Sequence, residues 1–368
     1  MFQTYYENAL LAQESPSSIS WIGSTQAFLI LFVSIFSGPA YDAGHFRLLI
    51  CIGGFLIPFG FMMTSLCHHY WQVFLAQGIC IGIGNGCLFV PSVAILPQYF
   101  TTHKALANGI AVSGSSIGGI IMPVVLRQLY PKIGFPWAVR VLGFLSLTTC
   151  LFSIIVMRPR IIPKHKRHLT DIGAFTEPPY LVLCVALFFC FIAFYVPLYY
   201  VGIWAIRNQI TDVNFAFYLL PIMNAASVVG RILPTAIADV GGVFNTLFSA
   251  TLISGILSLS WIAVKSKPGI IVFAVLYGIS SGAFVSLPAV AVHSLTTDMR
   301  KLGTRMGQSF LFAGCGLLVG TPVCGTILND TGKFLGLQLF SGFTLLFTSL
   351  LVLVIRTVRV GWKLKVKV

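Results

Sequence analysis

The chain has 368 residues, of which 57% are hydrophobic and only 9% charged, and its mean hydropathy is +0.92. That leaves too little polar material to cover a soluble globule of this size, so composition points to a polytopic membrane protein and against the soluble classes. A net charge of +14 would suit nucleic acid only as one continuous patch, whereas the basic residues punctuate the apolar runs in short loops, so no nucleic-acid partner is expected.

The start, Met-Phe-Gln-Thr-Tyr-Tyr-Glu, has neither a basic region nor an early apolar core, and no cleavable signal peptide is expected. At about 20 residues per span, apolar segments fall near 19–37, 48–66, 71–96, 105–126, 137–157, 180–201, 214–236, 243–264, 269–291, 305–327 and 336–355, which predicts eleven membrane helices. Between the fifth and sixth runs the stretch from Arg158 to Asp171, continuing to Pro178 and Pro179, is the longest hydrophilic interruption. Charge and proline together predict a solvated linker along an anionic inner leaflet.

The two sides of that linker echo each other. The first span closes with Gly38-Pro-Ala-Tyr-Asp42-Ala-Gly44, and Thr235-Ala-Ile-Ala-Asp239-Val-Gly241 closes a span 197 positions later (239 − 42). Gly82, Gly86, Pro91, Lys104, Gly109 and Pro123 likewise return as Gly278, Gly282, Pro288, Arg300-Lys301, Gly307 and Pro322. Such a repeat implies two related bundles with a solute pathway between them. Asp239 follows the second helix of its half and Asp42 the first of its own, so residues 1–18 read as the last turn of a missing helix plus an outer loop. The expected organisation is an N-terminal bundle over 1–157 with its first helix largely missing, a cytoplasmic linker over 158–179, a C-terminal six-helix bundle over 180–355 and a basic cytoplasmic tail over 356–368.

If the first span runs from outside to inside, sixteen Lys/Arg fall on the cytoplasmic side and seven outside, in keeping with the positive-inside rule. Trp21, Trp71, Trp137, Trp204 and Trp261 then all lie at outer span ends, where an aromatic belt is expected. Eight of the nine cysteines lie in or beside apolar spans and read as packing residues. Neither these nor the seven scattered histidines form a ligand set, so no metal and no cofactor are expected.

Chemistry concentrates on the 214–236 helix. A guanidinium at Arg231, about 6 Å along the axis from Ser227, is costly inside a bilayer unless it faces a cavity or a partner. Asn224, Ser227 and Arg231 share one face at i, i+3, i+7, and that face suits a carboxylate or another electron-rich polar solute. Alternatively, Arg231 reaches down to the interface or to Asp239 as part of a gate. Tyr195, beside the break at Pro197, and Tyr277 with Ser281 are added as candidate cavity residues. All nine carboxylates sit in loops or at helix ends, which leaves His293 as the one visible candidate proton relay, or a carrier that works as a facilitator. Asp42 and Asp239 are expected to gate, either by capping a neighbouring helix or by pairing with Arg47 or Arg305. Gly78, Gly82 and Gly86, Gly114 and Gly118, and Gly316 and Gly320 are expected to bring helix backbones close together.

These motifs resemble one family over nearly the whole chain: Ser18-Ile-Ser-Trp-Ile-Gly23, Tyr41-Asp-Ala-Gly-His-Phe-Arg47, Phe74-Leu-Ala-Gln-Gly78, Ala105-Leu-Ala-Asn-Gly109, Gly230-Arg-Ile-Leu-Pro234 with Asp239, and Gly303-Thr-Arg-Met-Gly307. Together they are similar to the fungal monocarboxylate-porter-like branch of the major facilitator superfamily. The resemblance implies an all-α membrane protein with the major facilitator fold: two pseudo-symmetric bundles, about eleven transmembrane helices present of an expected twelve, both ends in the cytosol. It also implies alternating access and an arginine of the eighth helix, here Arg231, contacting an organic anion. Ser227 stands where animal relatives carry an acid one turn before that arginine, and the first helix with its cationic ligand is absent. The function expected is secondary transport of a small organic solute, an organic anion or monocarboxylate or a secondary metabolite, and not an enzymatic one. A riboflavin-like uptake facilitator is the alternative, and a non-transporting sensor or membrane-embedded enzyme the different class. The expected partners are the solute and the lipid bilayer, with a monomer in the plasma membrane or, alternatively, in the vacuolar or another internal membrane.

Overall fold

The structure is a computed structural model and describes residues 2–100, 102–160 and 171–361. The central part of the expected linker, 161–170, and the tail residues 362–368 lie outside the described residues. Among the described residues, eleven membrane-length helices, counting the Lys104–Val156 trace as two that meet at Gly134, follow two short helical turns at Phe2–Tyr5 and Tyr6–Leu10. They are α1 (Ser18–Asp42), α2 (Phe46–Thr64), α3 (Tyr70–Gln98), α4 (104–133), α5 (135–156), α6 (Pro178–Arg207), α7 (Val213–Gly241), α8 (Val243–Ala263), α9 (Lys267–Leu295), α10 (Met299–Leu328) and α11 (Leu335–Arg359).

Local chemistry sets the helix ends. Ser15 accepts a hydrogen bond from the Ser18 amide at 3.0 Å, with Pro16 at the first helical position, a pairing that satisfies an orphan N–H and pre-sets φ. Ser266 caps α9 in the same way, through the Gly269 amide. The helical trace from Lys104 to Val156 breaks at Gly134, whose φ of 75° and ψ of 165° place it where a side chain would be strained. Pro131 and Pro136 flank the break and weaken the helix on both sides. This one glycine therefore turns a 53-residue helical trace into the fourth and fifth predicted spans.

The helices gather into two units. The first comprises Met1–Gln98, Ile121–Thr170 and Arg300–Gly314, and the second Tyr99–Ile120, Asp171–Met299 and Cys315–Val368. Each unit thus includes a helix segment from the other side of the linker. In the first unit Gly82 and Gly86 of α3 lie against Leu29 and Val33 of α1, while Ser37 donates to the Gly86 carbonyl and Tyr41 to the Ala94 carbonyl. In the second, Gly278 and Gly282 of α9 lie against the main chain of α7, where an added Cβ would come 2.5 Å from the Met223 oxygen and 2.7 Å from the Ser227 oxygen. Gly316 and Gly320 play the same part against Phe188 and Ile192 of α6. Small residues at such spacing let helices approach to backbone contact.

Two expectations need correction. A Cβ at Gly114 or Gly118 would meet nothing within 4 Å, so these glycines do not mediate a helix contact; the close approaches of α4 use Gly109 and Gly119 instead. The outer tryptophans also divide. Trp21, Trp71 and Trp137 are exposed as a belt requires, whereas Trp204 and Trp261 are buried. They form an edge-to-face pair 5.5 Å apart, which continues through Phe273 to Tyr277. Aromatic packing among α6, α8 and α9 outweighs interfacial placement there.

Gly278→Val should therefore lower the thermal midpoint of the detergent-purified protein, at a cost of about 1–3 kcal/mol from overpacking. Gly114→Ala, in open space, should leave the midpoint unchanged or raise it slightly. Scanning fluorimetry of the two variants distinguishes a tight α7–α9 contact from a loose one.

Candidate functional site

In each unit a helix begins against a carboxylate from a distant helix. Asp42, at the end of α1, accepts from the Gly303 amide at 3.0 Å, the Thr304 amide at 2.7 Å and the Thr304 hydroxyl at 2.9 Å. Asp239, near the end of α7, accepts from the Ala105 amide at 3.0 Å and the Leu106 amide at 2.9 Å, one on each carboxylate oxygen. The helices so capped start at Leu302 and Lys104, so the amides engaged are those of the second and third helical positions, which have no partner within their own helix. A carboxylate there gains both the hydrogen bonds and the positive end of the helix dipole. Both aspartates thus cap a neighbouring helix, one of the geometries expected from sequence. Arg47 is exposed and Arg305 buried.

Behind the Asp239 cap, α4 and α7 run antiparallel in continuous register. Gly109 lies against the Arg231 carbonyl and Thr235, and Ser116 and Ser227 share a hydrogen bond of 2.6 Å. Gly119 lies beside the Asn224 amide, whose oxygen is 2.9 Å from where a Cβ would sit. Each step of three or four residues keeps the same helix face in the seam. Asn224, Ser227 and Arg231 do share that face, as their spacing predicts.

Arg231 is only 7% exposed. Its Nη1 donates to the Val112 carbonyl of α4 at 2.6 Å and also to the Ser115 hydroxyl. Its Nε is buried without a partner, and among the described residues no carboxylate bonds to it. A permanent cation held by neutral oxygens alone is far from compensated in a low-dielectric setting. Tyr195 of α6 stacks its ring on Tyr199 at 5.4 Å and meets Phe194 edge-on at 4.5 Å.

The remaining predicted residues lie behind this face. Tyr277 is fully buried and donates to the Phe194 carbonyl at 2.9 Å, and Ser281, 3% exposed, turns to its own helix at Gly278. Asn224 donates to the Leu220 carbonyl. His293 is half-buried with Nε2 unpartnered. Sequence reasoning missed Val112, Ser115 and Ser116, although the run Ser113-Gly-Ser-Ser116 in an apolar span was the available signal. The nine cysteines are free thiols, and no group of metal-ligating residues occurs among the described residues. A hollow of about 350 Å³ opens elsewhere, between α2 and α3 in the first unit. Its walls include Phe59, Trp71 and Leu75, which are exposed apolar residues suited to lipid.

The profile of the Major Facilitator Superfamily matches residues 2–266. The chain belongs to the Major Facilitator Superfamily. Like other members it is a multi-pass membrane protein that moves a small organic solute by secondary transport. An MFS-type transporter of Emericella nidulans, dbaD, is 45% identical, with 96% of this chain aligned to 80% of that protein. The agnestins efflux protein AgnL12 of Paecilomyces divaricatus is 38% identical (97% of this chain, 82% of that one). The aspyridones efflux protein apdF of Emericella nidulans is 36% identical (95% and 72%). Among solved structures, the human organic anion transporter MFSD10 aligns with a TM-score of 0.76 at 14% identity, over 95% of this chain and 88% of that one. The fucose:proton symporter FucP of E. coli aligns at 0.73 and 15%, over 96% and 93%. At such identities these two structures speak for the fold.

Removing either helix-end carboxylate of the transporter should weaken its seam by about 0.5–2 kcal/mol, the usual worth of a cap. Asp42→Ala and Asp239→Ala should each lower the thermal midpoint in detergent, and Asn at either position should recover part of the loss by accepting one hydrogen bond.

Proposed function

We propose that the transporter exports an aromatic or conjugated organic anion by alternating access, with Arg231 as the solute's counter-charge. The observation that carries this reading is a buried guanidinium with one nitrogen unpartnered and no carboxylate bonded to it. An organic anion supplies the missing charge, and the planar fork suits a carboxylate in a bidentate grip. Asn224 and Ser227 add hydrogen-bonding groups on the same face, and the stacked pair Tyr195 and Tyr199 offers an aromatic shelf beside the cation. Tyr277 holds the main chain next to the shelf through its bond to the Phe194 carbonyl, and Ser281 lies one turn along the same helix. The relatives named for efflux of agnestins and aspyridones favour export and a secondary metabolite as cargo.

The positive-inside count assigns the Asp42 and Asp239 ends to the cytoplasmic side. Each cap holds the end of its own seam, α1 on α10 and α7 on α4. Each cap contributes about 1 kcal/mol, enough to bias a conformational equilibrium and too little to lock it, because carboxylate and amides are readily hydrated on separation. Asp42 and Asp239 thus act as reversible gates, with Arg47 and Arg305 as cations beside the first. The transporter works as a monomer in the plasma membrane.

Counterflow of radiolabelled salicylate into proteoliposomes tests this reading. The unaltered protein should accumulate label. Arg231→Lys should insert normally and lose at least about tenfold in rate, because an ammonium cannot reproduce the bidentate grip. Undiminished counterflow by that variant would contradict the assignment. Tyr195→Ala should raise the half-saturating salicylate concentration by about twofold to tenfold, the usual worth of an aromatic contact, and leave the maximal rate largely intact.

A further inference from the structure

The two seams are equivalent in their caps and close approaches but not in their charge. Gly109 meets the Arg231 carbonyl in one, and Gly307 meets the Ser34 carbonyl in the other. Ser34 thus holds the position that Arg231 holds, 197 residues earlier (231 − 34). Its hydroxyl turns back to the Ile30 carbonyl of its own helix at 3.1 Å. Arg231 instead reaches across to α4. The Ser115 hydroxyl that it engages is on an exposed residue flanked by open space at Gly114 and Gly118, while Ser116, the next residue, is fully buried against Ser227.

We propose that Ser115, with the Val112 carbonyl, is a positioning residue that competes with solute for Arg231 and so couples solute binding to opening of the α4–α7 seam. The idea rests on Arg231 being the solute's ligand. In the closed seam two oxygens of α4 occupy Nη1, so the guanidinium braces α4 against α7 and that arm of its fork is withheld. An anion arriving at the open side of Ser115 offers stronger, charge-assisted acceptors to the same nitrogens. As Arg231 turns to it, the brace is released, which leaves the Asp239 cap, the neutral Ser116–Ser227 bond and the glycine contacts to hold the seam. Solute therefore shifts the equilibrium through its differential affinity for the two states, as any coupling requires. The first seam has Ser34 where the second has Arg231, and does not respond to solute in this way.

The test needs no solute. Ser116→Cys places a thiol at the buried centre of the seam, and its modification by a small methanethiosulfonate reagent in proteoliposomes, followed by mass spectrometry of the peptide containing residue 116, reports the open fraction. In that background Ser115→Ala should raise the modification rate by about tenfold, from loss of a hydrogen bond to a charged group, and Ser115→Thr should restore it. Arg231→Met should raise the rate similarly, and Ser115→Ala combined with Arg231→Met should exceed the larger single effect by little, because both remove one brace. An unchanged rate in Ser115→Ala, or fully additive effects in the combination, would overturn the proposal. Failure of the solute reading would be seen separately, as salicylate counterflow that is indifferent to Arg231→Lys.

Discussion

An α-helix starts with amide groups that its own backbone cannot satisfy, and in this transporter two long helices leave that task to a carboxylate 134 and 261 residues away in sequence. Asp239 closes the start of α4 and Asp42 the start of α10. Everything else in the two seams follows from these fixed ends. With the register set at the cap, Gly109 and Gly307 must be small for the backbones to pass, and the residues one turn further in are brought face to face. A bond that joins an anion to a helix dipole in the interfacial layer, where water can replace either partner, holds a conformation without making it permanent.

Beyond the caps the halves diverge, and the divergence lies where a transporter needs chemistry. One seam carries an uncompensated guanidinium, a polar face formed by Asn224 and Ser227, and an aromatic shelf on α6. The other has Ser34 bonded to its own helix. Burial of a cation without a counter-ion costs far more than a single hydrogen bond returns. Under the proposed reading a solute supplies the missing charge; in the structure the Val112 carbonyl and the Ser115 hydroxyl are the acceptors that Nη1 has.

Much of this was legible in the chain. Hydropathy locates the spans, and the repeated punctuation at Asp42 and Asp239 marks the two capped ends. The shared face of Asn224, Ser227 and Arg231 followed from helical spacing alone. What sequence could not reveal was the partner of each. That Asp42 would meet the amides of Gly303 and Thr304 depends on a contact across more than 200 residues, which local periodicity does not encode. Glycine spacing misled for the same reason: Gly114 and Gly118 have the pattern of a packing motif but face open space, whereas the contacts use Gly109 and Gly119, one from a less obvious position on the helix. Trp204 and Trp261 lie at span ends like the belt tryptophans and differ only in having aromatic neighbours on other helices.

Pulsed electron spin resonance tests directly whether the Asp239 cap holds the α4–α7 seam closed. Nitroxides at His103 and Val240, both exposed and adjacent to the cap, would report the seam distance in liposomes. The unaltered cap predicts a dominant short distance, and Asp239→Ala predicts growth of a second, longer population at its expense. A distribution that does not change when the carboxylate is removed would contradict the account.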